Sequence, residues 1–244
     1  VCSSDLEMLA HPAPLTNGRG VFRWPLADWV VGVMLYFAFD LRRVIEQQEQ
    51  RVWKQFVSST LDGRTLGIVG YGAIGSAIAE RARPFGMKIL ALRRRRGLFK
   101  NDPLVDESYA SDQLKELLAA SDYLVLVTPL TAETRGMIGP AEVASIKAGA
   151  VVINIGRGPV IDEASLVGAL QSGALRGAAL DVFDKEPLPE GHAFWGMRNV
   201  LLSPHTADRV EGFLEPAFEC FLENLDKFLN GEPLKNVVDK NAGY

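Results

Sequence analysis

The run Thr65-Leu66-Gly67-Ile68-Val69-Gly70-Tyr71-Gly72-Ala73-Ile74-Gly75 constrains this chain more than any other stretch. It reads as a short buried strand, a glycine turn and the start of a helix, which together form the phosphate-holding element of a dinucleotide site. Gly70 permits the tight turn, Gly72 lets the backbone approach a pyrophosphate, and Gly75 lets the helix pack close to the strand. The helix amides and macrodipole then face the phosphate charge. Tyr71, Ala73 and Ile74 fill the turn and are assigned to the same site. Glycine spacing alone is weak evidence; here the flanking strand and helix supply the context.

The rest of the chain alternates. One long helix is expected from Leu26 to Trp53, apolar nearly all round in its first half and amphipathic from Leu41 to Arg51. Helices are expected over Ala73–Arg83, from Ser111 to Ala119, over Ala141–Ile146, from the Asp162 cap to Gln171, and over Asp208–Leu229. Strands are expected over Met87–Leu92, Asp122–Val127, Ala150–Ile155, Gly177–Leu180 and Val200–Leu202. These strands are continuously apolar, which indicates a parallel sheet covered on both faces, a doubly wound α/β fold of the Rossmann type.

Composition excludes several classes. A formal charge of −4 gives no reason to expect nucleic acid or an anionic membrane as partner. The longest apolar run, Trp29 to Phe39, is too short to span a bilayer. Two cysteines, Cys2 and Cys220, form neither a disulfide framework nor a metal-ligand spacing, which suits a cytoplasmic protein, and the three histidines are too scattered for a zinc site. Residues 1–6 have no structural period. The bases GTG-TGC-TCT-TCC-GAT-CT, which end a common sequencing adapter, translate as these six residues, so they are read as foreign to the gene; a disordered tail is the alternative.

Four later segments carry candidate chemistry. Arg93, Arg94, Arg95 and Arg96 follow the second strand, about 20 residues after the glycines, where an acid would bind the ribose hydroxyls of NAD. Guanidinium there suits the 2′-phosphate of NADP, so NADP is preferred over NAD; the competing reading is a solvated basic loop. Arg157 stands between glycines at a strand end and can grip a carboxylate in bidentate fashion. Asp181 and Glu186 follow another strand, and His205 a third. A base, an acid and a guanidinium at the ligand edge of one sheet make up the composition of a hydride-transfer site.

The stretches VGYGAIG, PFGMKILAL, VTPLTAETRGMI, VINIGRGPVID, GAALDVFDKEPLP and SPHTA, in this order over about residues 16–240, resemble the D-isomer specific 2-hydroxyacid dehydrogenases, closest to the glyoxylate/hydroxypyruvate reductase branch. The resemblance implies that Arg157 binds the substrate carboxylate and polarises the carbonyl, that His205 is the acid/base, and that Glu186 is its partner. It implies that Asp181 lies near the nicotinamide amide, and that Thr128, Pro129 and Thr134 line the cofactor cleft, with Ile155, Gly156, Thr206 and Ala207 also on the cofactor side. Glu186 rather than glutamine argues against the formate dehydrogenases.

The resemblance also implies a domain division. Residues 1–22 are a remnant of a flavodoxin-like substrate domain, 23–208 the dinucleotide-binding domain, and 209–244 a helix and tail returning to the substrate domain. Roughly the first quarter of a full-length member is expected to be absent, leaving the stripe Phe213, Leu214, Phe218, Phe221, Leu222, Leu225 and Phe228 in search of a partner. A homodimer is implied, with the helix from Leu26 as contact element, and Trp24, Trp29 and Trp195 are candidates for the pocket wall. Two alternatives to an oxidoreductase stay open: a dinucleotide-binding regulator of the C-terminal-binding-protein corepressor type, and an inactive fragment that only binds cofactor.

Overall fold

A computed structural model describes residues 11–93 and 102–240. The expectations for residues 1–6, Cys2, Arg94, Arg95 and Arg96 lie outside these described residues. The chain forms β1 (Thr65–Val69), β2 (Lys88–Leu92), β3 (Glu107–Tyr109), β4 (Tyr123–Leu126), β5 (Val151–Asn154), β6 (Gly177–Leu180) and β7 (Val200–Leu202). All pairings are parallel, in the order β3-β2-β1-β4-β5-β6-β7. The order reverses between β1 and β4, and a crevice at the carboxyl ends of strands beside such a switch is where open α/β sheets bind ligands.

Helices cover both faces. On one lie α1 (Arg23–Ala38) and α3 (Ala73–Ala82), packed on each other and on Ile68, Ile89, Val125 and Ile153. On the other lie α4 (Leu114–Ala120), α5 (Pro140–Ser145) and α6 (Glu163–Gln171), around Leu90, Leu124, Val152 and Leu166. The two sets of buried side chains alternate along each strand, which is why the strands read as unbroken apolar runs. Asp162 caps α6 as expected, its carboxylate accepting from the Ser165 amide at 2.8 Å.

Three expectations are corrected. The long helix is two helices, α1 and α2 (Leu41–Glu49), bent by 64°. Asp40 adopts a left-handed conformation there (φ 47°), which a short polar side chain tolerates better than most. This turn takes the polar α2 off the sheet, where Arg198 pairs with Glu46, and α2 ends before a stretch without regular secondary structure at residues 52–60. The last helix, α7 (Leu214–Leu229), starts six residues later than Asp208. Gly212 is left-handed (φ 71°), and Pro216 is tolerated only in a first helical turn, so the helix cannot extend back through it. A 3₁₀ turn at Ser111–Gln113 precedes α4, and the three-residue β3 has no apolar run to announce it.

The C-terminal tail returns to the start of the described chain. Thr16 and Val237 form an antiparallel bridge, the Asn17 amide donates to the Asn236 carbonyl at 3.1 Å, and the Val238 amide donates to the Leu15 carbonyl at 2.8 Å. The apolar stripe on α7 stays largely uncovered, with Phe218 60% and Phe228 61% exposed. No single helix among the described residues is long and apolar enough to cross a membrane.

Candidate active site

The glycine turn has the geometry that the sequence asks for. Gly70 sits at φ 106°, and a Cβ there would meet the Thr128 amide at 2.8 Å, so the β1 and β4 loops touch at this point. A Cβ on Gly75 would lie 2.9 Å from the Gly70 carbonyl oxygen, while one on Gly72 would meet nothing within 4 Å. The turn is therefore closed towards the protein and open on the side where a phosphate would approach, at the N-terminus of α3. Ala73 and Ile74 open that helix.

Arg93 lies at the end of β2. Its Nε donates to the Tyr71 carbonyl at 2.6 Å, and its guanidinium lies 5.5 Å from the centre of the Tyr71 ring. A cation is thus fixed against the glycine turn at the end of the second strand. Burial, then the Asp102 carboxylate, push the Tyr71 phenol well above its usual range, against the opposing charge of Arg93, so the phenol stays neutral. Thr128 is buried beside Gly70, and the Thr134 hydroxyl donates to the Pro129 carbonyl at 2.6 Å, bracing the loop after β4.

Arg157, Glu186 and His205 follow three neighbouring strands, β5, β6 and β7. Ile155 and Gly156 lead out of β5, and Asn154 shapes the turn: its side chain accepts from the Gly156 amide at 3.1 Å and donates to the Arg157 carbonyl at 3.2 Å. The Arg157 guanidinium donates to the Gly156 carbonyl at 2.6 Å. Gly158 then runs hard against the next loop, where a Cβ would lie 1.8 Å from the Phe183 carbonyl carbon. Three residues on, Glu186 Oε1 accepts from the Phe183 amide at 3.0 Å, and Oε2 lies 2.7 Å from His205 Nδ1. The imidazole and the carboxylate are each partly open to solvent, so the other ring nitrogen is free to serve a ligand. The loops touch in sequence, from Gly70 to Thr128, to Gly156, to Gly158, to Phe183 and so to the Glu186–His205 pair.

His205 is itself left-handed (φ 55°). Asp181, 3% exposed, holds that strained corner: Oδ1 accepts from the Thr206 amide at 2.9 Å, the Ala207 amide at 3.1 Å and the Ser203 hydroxyl. The Asp181 carboxylate and the Thr206 and Ala207 amides, residues that the sequence reading put on the cofactor side, are thus joined by hydrogen bonds at the His205 corner. Ser203 and Asn154 lay inside quoted stretches with no role assigned: Ser203 bonds to Asp181 on another loop and Asn154 to the backbone of its own turn, and neither contact shows in the spacing of residues. Trp24 and Trp29 line an open cavity of about 510 Å³, together with Pro25, Thr206, Ala207 and Val210. The Trp195 indole donates to the Pro189 carbonyl at 2.9 Å. The described residues contain no group of side chains able to hold a metal ion.

Comparison with known proteins agrees with this geometry. The sequence model of the D-isomer specific 2-hydroxyacid dehydrogenase NAD-binding domain matches residues 31–207. A glyoxylate reductase of Thermococcus onnurineus is 42% identical over 93% of this chain and 70% of its own length. One from Thermococcus gammatolerans is 37% identical over 95% of this chain and 69% of its own. A 2-hydroxyacid dehydrogenase from Xanthobacter autotrophicus Py2, solved with NADPH and MES, superposes with a TM-score of 0.87 at 32% identity over 98% of each chain. An NADPH-dependent glyoxylate/hydroxypyruvate reductase from Sinorhizobium meliloti, solved with NADP and sulfate, gives 0.87 at 31% identity over 97% of this chain and 76% of that one. Sheet order, glycine turn and the three strand-end residues thus lead to one conclusion: the chain belongs to the D-isomer specific 2-hydroxyacid dehydrogenase family.

Proposed function

We propose that this chain is an oxidoreductase of the glyoxylate/hydroxypyruvate reductase kind, which uses NADP in preference to NAD to reduce a small 2-oxo acid. The observation that carries this reading is the Glu186–His205 contact beside the Arg157 loop, on the sheet edge that also bears the glycine turn. The cofactor fits the site: the Gly70–Gly75 turn leaves room for its pyrophosphate, and Arg93 offers a guanidinium for the 2′-phosphate. When bound, it supplies the hydride for the 2-oxo carbon.

The chain's own residues do the rest. Protonated His205 gives its Nε2 proton to the substrate oxygen, while Glu186 holds the Nδ1 side and balances the imidazolium charge. Arg157 binds the substrate carboxylate and stabilises negative charge growing on the oxygen. Asp181 keeps the His205 corner in place. Residues 11–22 and 209–240 pair with each other, which supports assigning them to a substrate domain, and the bare α7 face supports packing against further parts of that domain. A homodimer through α1, α2 and residues 52–60 is favoured by Trp53 and Val57, which are 96% and 97% exposed. A cytoplasmic setting agrees with Cys220, which is a free thiol.

The test measures NADPH binding, and NADPH oxidation with a panel of 2-oxo acids. It compares this chain with one joined to the N-terminal stretch of its longer relatives. Both should bind NADPH, and the longer chain should turn over glyoxylate or hydroxypyruvate far faster. Tight NADPH binding with no turnover of any 2-oxo acid by either chain would overturn the reductase reading.

A further inference from the structure

Residues 181–192 run without regular secondary structure from the end of β6 to a 3₁₀ turn at Ala193–Gly196. This loop carries Glu186, and its stretch 184–187 is exposed. A loop with a solvated tip has little of its own to hold a carboxylate at hydrogen-bond distance from an imidazole on another loop. Apart from the Glu186–His205 contact itself, one hydrogen bond among the described residues ties this tip to another element. The Asp184 amide donates to Glu163 Oε1 at 2.7 Å.

Glu163 is well placed to act as that tie. It is the first residue of α6, directly after the Asp162 cap, and its side chain is 18% exposed. Its other oxygen, Oε2, lies 3.4 Å from His192 Nε2. His192 Nδ1 accepts from the Phe194 amide at 3.3 Å, so Nδ1 carries no proton and the ring hydrogen sits on Nε2, facing the carboxylate. The ring also lies 4.6 Å from that of Phe194, a residue 1% exposed that neighbours Phe183. Glu163 thus has one oxygen on the tip of the loop and the other facing its far end. It also stands on the helix that begins just beyond the Arg157–Gly158 turn.

We infer that Glu163, braced by His192, is a positioning residue for the acid/base pair. It fixes the Asp184 peptide, and with it the direction in which Glu186 presents its carboxylate to His205. The inference rests on the reductase reading for its kinetic consequence, but its structural consequence can be read without any reaction. A charge-bearing acceptor on a rigid helix is a means of holding a loop-borne catalytic group to within a fraction of an ångström.

The experiment uses Glu163→Ala, Glu163→Gln and His192→Ala. Each is checked by thermal melting, then by the imidazole NMR resonances of His205 and by steady-state kinetics in the chain carrying the relatives' N-terminal stretch. With three histidines in the sequence, assignment is direct. Glu163→Ala should move the His205 resonances and lower kcat by roughly 10- to 100-fold, with KM and NADPH affinity changed little, as expected for an ångström-scale misplacement. Glu163→Gln keeps an oxygen for the Asp184 amide and should recover most of the rate. His192→Ala should give a smaller change of the same kind, and it serves as the second probe if Glu163→Ala does not fold. Unmoved His205 resonances in a folded Glu163→Ala or His192→Ala variant would overturn the inference. If the parent chain reduces no 2-oxo acid, the reductase reading fails separately, and the resonances alone decide the role of Glu163.

Discussion

Gly158→Ala is the sharpest test of how the site is assembled. The added Cβ would lie 1.8 Å from the Phe183 carbonyl carbon, 2.0 Å from its oxygen and 2.3 Å from the Asp184 nitrogen. All three are backbone atoms, so no side chain can rotate out of the way. Restoring an ordinary contact of about 3.4 Å requires the Arg157 and Glu186 loops to part by roughly 1.6 Å. The Glu186–His205 contact of 2.7 Å cannot survive such a shift unless the His205 loop follows, and Asp181 bonds that loop to the end of β6. Overpacking of this severity costs about 3 kcal/mol. For a chain of this size that is a fall in Tm of roughly 6–12 °C, and displacement of the catalytic groups should cost about 100-fold in kcat. Circular-dichroism melting and NADPH oxidation read the two effects. Gly168→Ala is the control: it lies inside α6 with nothing within 4 Å of the new Cβ, so it should leave activity alone and raise stability by about 0.5–1 kcal/mol. A Gly158→Ala variant with parental Tm and parental turnover would refute the claim that the two loops interlock through this residue.

Other outcomes follow from the same geometry. His205→Gln should reduce turnover by at least about 100-fold while NADPH affinity, measured by fluorescence titration, stays nearly intact; loss of binding instead would misplace His205. Arg93→Asp should move the ratio of kcat/KM values from NADPH towards NADH, and an unchanged ratio would sink the phosphate-clamp reading. Asp122 gives a pH test at the opposite end of the sheet. Burial raises its carboxyl, but the Lys147 ammonium at 2.7 Å, the Thr65 amide at 2.9 Å and Arg64 outweigh this and hold it below the usual carboxylate range. A depressed folded-state value stabilises the fold above the unfolded value of about 3.9 and is lost as pH falls through the folded value. Asp122→Asn should therefore be less stable than the parent in urea at neutral pH, and the gap should close in acid; a gap independent of pH would contradict the assignment.

Six of the seven described strands, the glycine turn and the identity of the three strand-end residues are legible in the amino-acid order alone. Those features are local: apolar runs fix parallel buried strands, and glycines at fixed spacing fix a turn. Arg157, Glu186 and His205 were recognisable because each sits in a motif at the end of its own strand. Tertiary structure alone decided what those residues touch. The bend at Asp40 was invisible because either half of the stretch is a good helix, and only the left-handed residue between them turns α2 away. The bonds from Asp181 Oδ1 to the Ser203 hydroxyl and to two amides beyond His205 are likewise contacts that no local pattern announces. Gly158 and Glu163 gave no signal, since their partners lie more than twenty residues away in the chain. Contacts between loops depend on how neighbouring strands are ordered, and that order is a property of the whole sheet rather than of any one segment.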